Sequence, residues 1–173
     1  MNDRTYKIVL ASALIGLGVA IAPFLYIPFL TTKAYPGQHI INSIAGIMLG
    51  PWWAALIAIA IGIIRNMLGV GTIYAFPGGI PGGIVVGVTA WLLRKLNVKQ
   101  VEYAVFTEPI GTAIIGGTLS VYIVAPIIGD PKVSGALLPI WALFGLSSII
   151  GCIIAFAILK VLSIAGFSRL YRR

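Results

Sequence analysis

The hydrophobic positions of this chain form long blocks that polar residues interrupt only briefly. Four blocks are long enough to cross a membrane, because about 20 apolar residues span a bilayer core of roughly 30 Å. They cover residues 8–29, 51–68, 109–128 and 138–162. Two weaker blocks, 36–50 and 79–93, are shorter and contain glycine, which is typical of helices that pack closely on their neighbours. The pattern predicts an all-α integral membrane protein, a compact bundle of six transmembrane helices.

The boundary between the second and third predicted helices lies at Gly50-Pro51. One continuous helix over residues 36–68 would be ~50 Å long at about 1.5 Å per residue, which exceeds the thickness of the membrane. Proline lacks an amide hydrogen and interrupts a helix. Trp52 and Trp53 follow at once, and tryptophan is enriched at the membrane–water interface.

The composition excludes a water-soluble domain. Hydrophobic residues make up 60% of the chain and charged residues 9%, and the mean hydropathy is +1.06. We therefore expect one transmembrane domain over residues 1–173. The N-terminal apolar stretch is too long for the core of a signal peptide and lacks a small-residue cleavage site, so we expect it to be retained as the first helix.

The basic residues predict the orientation of the bundle, since cytoplasmic loops carry the excess of Lys and Arg. With six helices and the N-terminus inside, both termini are cytoplasmic and only three of the 12 basic residues lie outside, namely Lys33, Arg65 and Lys132. Five helices would divide them eight to four, so charge favours six only mildly. The net charge of +8 thus indicates topology and no nucleic-acid partner, and the basic tail FSRLYRR suits contact with anionic lipid.

Residues that carry catalytic chemistry are too few to indicate an enzyme. No Walker phosphate loop is present, so the chain does not hydrolyse ATP by itself. The single histidine and cysteine are His39 and Cys152, and the four acids are Asp3, Glu102, Glu108 and Asp130. This set offers no nucleophile–base pair, no metal cluster and no disulfide. We expect no enzymatic activity, no cofactor and no metal.

The stretch RNMLGVGTIYAFPGGIPGGIVVG, from Arg65 to Gly87, breaks the apolar pattern with an arginine, an asparagine and a turn rich in proline and glycine. A charge or irregular backbone at membrane depth persists only where protein or a water-lined cavity satisfies it, so this stretch is the candidate binding site. Arg65 lies ~21 Å along its helix from Pro51, near the outer face. Its side chain either extends to the lipid headgroups or organises the outer loops and donates to a ligand. The adjacent Asn66 favours the second alternative.

Glu108-Pro109 has two interpretations. Proline in a first helical turn and an acid at the positive end of the helix dipole indicate a helix start. If the fifth helix instead begins near Val101, Glu108 lies roughly 10 Å inside it, where it needs a proton or hydrogen-bond partners. The sequence leaves both interpretations open.

Several polar and aromatic residues are expected in the outer half of the bundle. They are His39 and Asn42 in the second helix, Tyr74 and Phe76 in the loop, Tyr122 at the end of the fifth helix and Trp141 at the start of the sixth. Aromatic walls with a few placed hydrogen-bond groups suit a small heterocycle. Tyr and Trp near helix ends also form interfacial belts, so that alternative remains for each aromatic residue.

Small residues recur at intervals of four on four predicted helices, and such ridges let helix backbones approach closely. The ridges are Ser12/Gly16/Ala20, Gly79/Gly83/Gly87, Thr112/Gly116/Ser120 and Ser147/Gly151/Ala155. The ridge on the first helix differs from the others, because a smooth face at the edge of a bundle suits a partner that docks and slides.

Three features carry a family resemblance: the six short helices, the small-residue face of the first helix, and the stretch HIINSIAGIMLGPWWAALIAIAIGIIRNMLGVGTIYAFPGGIPGG. Together they resemble the substrate-binding S components of energy-coupling factor (ECF) transporters. Within these the chain is most similar to the predicted hydroxyethylthiazole-specific family, ThiW, from about Lys7 to Leu162. The most specific parts are Arg65-Asn66 with Gly69, Gly71 and Thr72, the Ala75-Phe76-Pro77-Gly78 turn, and Glu108-x-x-Gly111-Thr112. Gly79 and Pro81 make this turn richer in glycine and proline than the family pattern.

The resemblance implies a membrane receptor for a vitamin precursor in the prokaryotic plasma membrane. It implies partners as well, one transmembrane coupling protein and two ATPases, with the first helix (Ser12, Gly16, Ala20) on the coupling protein. Hydroxyethylthiazole is small, aromatic and neutral, so stacking and one or two hydrogen bonds should dominate its binding. The expected substrate-binding residues are His39, Asn42, Arg65, Asn66, Tyr74, Glu108, Thr112, Tyr122 and Trp141, around a pocket beneath residues 69–83.

Three alternatives remain open. In the first, the chain is an S component for another small ligand, such as thiamine or hydroxymethylpyrimidine. In the second, it is a structural subunit of a membrane complex and needs no ligand. The third alternative is a channel or secondary transporter that works without ATPases. An ion-driven transporter needs an acid near the membrane midplane or inverted repeats, and only Glu108 qualifies as such an acid.

Overall fold

The computed structural model describes residues 2–29 and 32–167, without the side chains of Phe29 and Thr32. The described chain contains six helices: α1 Asp3–Ile21, α2 Pro36–Leu49, α3 Pro51–Met67, α4 Ala75–Lys95, α5 Val101–Ile128 and α6 Leu137–Ile164. Between α1 and α2, strand β1 (Ile27–Phe29) pairs antiparallel with strand β2 (Thr32–Ala34), with Ile27 opposite Ala34. The tail predicted to contact lipid lies outside the described residues, apart from Phe167.

Each predicted hydrophobic block corresponds to one helix, so the count of six is consistent with the structure. Four of the described helices, α1, α4, α5 and α6, are long and apolar enough to cross a membrane. Helix α3 has 17 residues and α2 has 14. Every residue of α2 except Met48 is buried, so this short helix lies in the centre of the bundle. The hairpin makes the fold nearly, and not entirely, helical.

Helix α1 differs from the predicted block 8–29 at both ends. It begins at Asp3, where the side chain of Asn2 accepts a hydrogen bond from Arg4 N at 3.1 Å and caps the helix. It ends at Ile21, shortly before Pro23, because proline lacks the amide that would donate to Val19 O; Ala22 N donates to this oxygen instead, at 3.3 Å. The last residues of the predicted block form β1.

Helix α4 includes the stretch Ala75–Gly78, so the prediction of a turn there, and of a helix start at residue 79, is wrong. Pro77 is tolerated because the first four amides of a helix have no acceptor within it. Pro81 lies inside the helix and lacks the amide that would bond to Pro77 O. The non-helical connection is therefore only residues 68–74.

Helix α5 begins at Val101, so the interpretation of Glu108-Pro109 as a helix start is wrong. Its first segment is a 3₁₀ helix, Val101–Thr107, and two π-helical segments follow, Ile110–Gly116 and Ser120–Val124. Pro109 donates no amide to Val105 O, which accepts instead from Glu108 N and, at 3.0 Å, from Cys152 Sγ. Glu108 is therefore inside the helix and fully buried.

Because successive helices run in opposite directions, the bundle has two ends. At the hairpin end, α1, α3 and α5 finish and α2, α4 and α6 begin; the Gly50 end is opposite. Tyr74 Oη donates to Asp130 Oδ2 at 2.9 Å at the hairpin end. At the Gly50 end, Lys160 Nζ donates to Glu102 Oε1 at 2.8 Å. Between them lies an apolar core that includes Ile41 and Ile61.

Three of the four predicted ridges pack inside the bundle. A Cβ added at Gly83 would lie 3.1 Å from Ala54 Cβ, and one at Gly151 would lie 2.6 Å from His39 Cβ. The third buried ridge contains Gly116, where an added Cβ would lie 2.1 Å from Pro77 O. The fourth ridge, Ser12/Gly16/Ala20, is exposed on α1, and an added Cβ at Gly16 would meet nothing within 4 Å. This ridge therefore faces away from the bundle.

Candidate binding site

A buried hydrogen-bond cluster surrounds the carboxylate of Glu108. Oε1 lies 2.9 Å from His39 Nδ1 and accepts from Asn42 Nδ2 at 3.1 Å and from Thr112 Oγ1 at 2.6 Å. Oε2 accepts from Ser148 Oγ. All five side chains are buried, and they come from α2, α5 and α6. A carboxylate at membrane depth requires such hydrogen-bond partners. The cluster therefore supplies what the sequence analysis required of Glu108 if it lies inside the fifth helix.

The backbone of α4 completes this cluster. Asn42 Nδ2 also donates to Gly79 O at 3.0 Å, and Thr112 Oγ1 lies 2.8 Å from Gly78 O. Gly82 packs against the carboxylate, since a Cβ there would lie 2.3 Å from Glu108 Oε1. Four helices are thus tied together at one level of the bundle.

A cavity opens above this cluster at the hairpin end. Its volume is ≈ 270 Å³ including the space at its mouth. Rings of Tyr35, Tyr74 and Phe144 form its walls, and the first two turns of α4 form another side. The polar side chains that border it are those of Lys33, Gln38, His39 and Thr112. It lies beside the start of α4, where the sequence predicted a pocket.

His39 joins the cavity to the buried cluster. Its Nδ1 contacts Glu108 Oε1, and its ring borders the cavity. Among the described residues Nε2 has no hydrogen-bond partner, so it is the ring nitrogen left for a ligand. A carboxylate on one imidazole nitrogen fixes the orientation of the ring and thereby the direction in which the other nitrogen points.

Arg65 is completely buried, so the alternative that it extends to the lipid headgroups is wrong. Its Cζ lies 3.4 Å from the centre of the Tyr35 ring, and Nη1 donates to Gln38 Oε1. Its main-chain oxygen accepts from Val70 N at 3.0 Å and Gly71 N at 2.9 Å. Arg65 therefore organises the start of the loop and contacts two residues that border the cavity.

Asn66 stabilises the loop between α3 and α4. Its Nδ2 donates to Gly62 O at 2.7 Å and to Thr72 O at 3.1 Å. Tyr35 Oη donates to Val70 O in the same loop. Gly71 packs against this turn, since a Cβ there would lie 2.9 Å from Asn66 N. The structure gives Asn66 a positioning role, because it is not among the residues that border the cavity.

Tyr74 ends the loop and borders the cavity, with its hydroxyl bound to Asp130 Oδ2. Burial of the phenol, and then the hydrogen bond and the negative charge of Asp130, raise the pKa of Tyr74. The phenol therefore stays protonated at any physiological pH, and its O–H group donates a hydrogen bond to Asp130.

Two predicted site residues lie away from the cavity. Tyr122 is 61% exposed on the outside of the bundle, because Ser120 and Val121 face inward at that turn of α5. Trp141 donates from Nε1 to Thr118 Oγ1 at 3.1 Å and packs against Gly117. Both side chains suit the alternative of an interfacial aromatic belt.

The sequence analysis missed five polar or aromatic residues at the site. Lys33, Tyr35, Gln38 and Phe144 border the cavity, and Ser148 binds Glu108. Gln38 carried a signal, since it directly precedes His39 at the start of a short, polar helix. Ser148 lies four residues before Cys152, one helical turn away on the same face, but nothing in the sequence connects either with Glu108.

Comparison with known proteins gives one result. A family model described as thiamine-precursor transporter protein (ThiW) matches residues 8–165. No curated protein sequence matches the chain. The match covers nearly the whole helical bundle, including every residue of the Glu108 cluster and of the cavity. Together with the four apolar spans it indicates a multi-pass membrane protein that transports a small molecule. The chain belongs to the ThiW family of thiamine-precursor transporter proteins.

Proposed function

We propose that this chain is the substrate-binding S component of an ECF-type importer in the prokaryotic plasma membrane, and that it binds hydroxyethylthiazole. The observation that carries the proposal is the cavity at the hairpin end, with aromatic walls and a polar floor. In the proposed orientation the hairpin end faces outward, because only three basic residues of the described ranges, Lys33, Arg65 and Lys132, lie there. The ligand is captured outside and delivered inward with the ATP-driven coupling module.

The walls of the cavity support a small aromatic ligand without a positive charge. Tyr35, Tyr74 and Phe144 offer faces and edges against which an aromatic ring packs. Lys33 is the charged side chain at the border, so a neutral thiazole alcohol suits the cavity better than thiamine, which carries a positive charge.

The polar groups of the cavity support a ligand with a hydroxyl group. His39 and Thr112 border the cavity, and Glu108 binds both His39 Nδ1 and Thr112 Oγ1. His39 Nε2 is left for the ligand, and a hydroxyl group, which both donates and accepts, suits this atom whichever tautomer His39 adopts. The ring of the ligand then lies toward Phe144 and Tyr35.

Calorimetric titration of the purified protein tests the ligand. We expect hydroxyethylthiazole to bind at least tenfold more tightly than thiamine or hydroxymethylpyrimidine. Phe144→Leu should weaken binding roughly tenfold, because it removes an aromatic wall. Phe156→Leu, the same change at the Gly50 end, should leave binding unchanged. Tighter binding of thiamine would show that the ligand is wrong, and binding of none of the three would favour a structural subunit.

The exposed ridge of α1 supports docking to the coupling protein. Ser12, Gly16 and Ala20 present a smooth face that no part of the described chain covers. We expect Gly16→Leu to retain ligand binding and to abolish uptake in cells that contain the coupling module, because the larger side chain separates the two helices. Ala142→Leu adds similar bulk on the exposed side of α6 and should leave uptake intact. Uptake that persists without the ATPases would indicate a secondary transporter.

A further inference from the structure

The guanidinium of Arg65 is buried without a counter-charge. Its side chain is 0% exposed, and Nε and Nη2 have no hydrogen-bond partner among the described residues. The chain has four acids, and all lie in the described part. Asp3 pairs with Lys7, Glu102 with Lys160, Glu108 with His39, and Asp130 binds Tyr74. Among the described residues, none of these acids forms an ion pair with Arg65.

The two unpartnered nitrogens are a matched pair. Nε and Nη2 share one edge of the planar guanidinium, and their N–H bonds point in parallel. This is the edge that binds the two oxygens of a carboxylate or phosphate at once. Gln38 accepts from Nη1, the Tyr35 ring lies 3.4 Å from Cζ, and Nε and Nη2 have no hydrogen-bond partner among the described residues. The geometry thus leaves free the part of Arg65 that recognises an oxyanion.

The surroundings favour negative charge. Gln38 and Tyr35, which contact Arg65, both border the cavity, and the only fully charged side chain at the border is that of Lys33. Helices α2 and α4 both begin at the hairpin end, and neither N-terminus has a side-chain cap. The positive ends of their dipoles therefore add positive potential at this end. Gln38 separates Arg65 from the cavity and is held only by Arg65 itself and by a contact of 3.4 Å to Ala75 O. The proposed subsite therefore requires Gln38 to rotate away from Arg65.

We propose that Arg65 forms an anion-binding subsite of this cavity, which receives a carboxylate or phosphate group through Nε and Nη2. The anion is either a substituent of the organic ligand or a free inorganic anion bound beside a neutral ligand. The subsite itself does not depend on the proposed function, whereas the titrations with thiazole compounds rest on the proposed function. An uncompensated buried charge destabilises a protein, and a bound anion removes that penalty.

Thermal unfolding of the full chain with inorganic phosphate tests the subsite without any organic ligand. At constant ionic strength, set with sodium chloride, which offers no pair of oxygen acceptors, we expect the unfolding midpoint to rise with phosphate concentration and then saturate. Arg65→Met should not respond, and without phosphate its midpoint should equal or exceed that of the native chain, because a neutral side chain of similar length removes the unpaired charge. Lys132→Met removes an exposed cation at the same end and should retain the response.

Titration with a thiazole alcohol and with its phosphate ester then identifies the source of the anion. If the ligand carries it, the ester binds at least tenfold more tightly than the alcohol, and Arg65→Gln removes this ratio. If a free anion binds, added phosphate strengthens alcohol binding at least tenfold and the ester has no advantage. A native chain that responds to neither phosphate nor ester, or an Arg65→Met chain that responds fully, would overturn the subsite. If the alcohol binds and no anion affects its binding, the proposed function stands and the subsite is overturned. If phosphate raises the unfolding midpoint but no thiazole compound binds, the subsite stands and the proposed ligand is wrong.

Discussion

Replacement of Glu108 by alanine is expected to destabilise the protein by about 3 kcal/mol or more, because each buried donor left without an acceptor costs about 1–3 kcal/mol. The change leaves His39 Nδ1, Asn42 Nδ2 and Ser148 Oγ without their acceptor in the interior of the bundle. Each buried donor then loses its hydrogen bond and has no water to replace it. Thermal or denaturant unfolding in detergent measures the loss. Ligand binding should fail as well, because the ring of His39 is no longer held.

Two matched variants make this prediction specific. Glu108→Gln keeps the shape of the side chain, but its amide nitrogen faces donors, so we expect an intermediate loss of stability. Glu102→Gln changes the other buried glutamate, whose partner Lys160 is 34% exposed and reaches water at the Gly50 end. It should cost about 1 kcal/mol or less and leave ligand binding unchanged. Equal losses in Glu102→Gln and Glu108→Ala would contradict a special role for the Glu108 cluster.

Replacement of Gly116 by alanine is the second change with a large expected effect. The new Cβ would lie 2.1 Å from Pro77 O and 2.9 Å from Pro77 C. Both atoms belong to the backbone of α4, so the contact cannot be relieved by a side-chain rotation. We expect a loss of about 3 kcal/mol or more, at the upper end of what overpacking costs. Displacement of α4 also moves Gly78 and Gly79 at the cavity, so ligand binding should weaken in the same variant.

Gly145→Ala on α6 is the matched control. Its new Cβ would lie 3.7 Å from Ala113 Cβ, an ordinary contact distance. Because alanine favours a helix by about 1 kcal/mol over glycine, the control should be neutral or slightly stabilising. Similar unfolding midpoints for Gly116→Ala and Gly145→Ala would show that α4 and α5 do not approach as closely as described.

The main features of the fold followed from hydrophobic periodicity, because a bilayer requires apolar segments of nearly constant length. The helix ends were less predictable. Pro23 ended α1 early, whereas Pro77 and Pro109 were accommodated inside helices, and the outcome depended on tertiary partners such as Cys152 at Val105 O. A proline alone does not reveal whether another part of the chain will bind the carbonyl that it leaves free.

The candidate site was predictable only in part. Arg65 and Glu108 were identified because charge is costly at membrane depth. Tyr122 and Trp141 were assigned to the cavity from their position near helix ends, which does not determine the side of the helix on which each lies. For Tyr122 that side depends on the winding of α5. Its π-helical segments have more residues per turn than an α-helix, so the face of each residue cannot be read from a period of 3.6.

The floor and the mouth of the cavity are built differently, and this difference separates kinetics from selectivity. The floor is cross-linked by hydrogen bonds among four helices around Glu108. The mouth is bordered by the end of a hairpin with strands of three residues and by a short loop. Such elements open locally at much lower free energy than a packed core. For the proposed ligand, we therefore expect the mouth to set the rates of entry and escape and the floor to determine the choice among ligands. Changes in the hairpin should alter residence time without altering which compound the protein prefers.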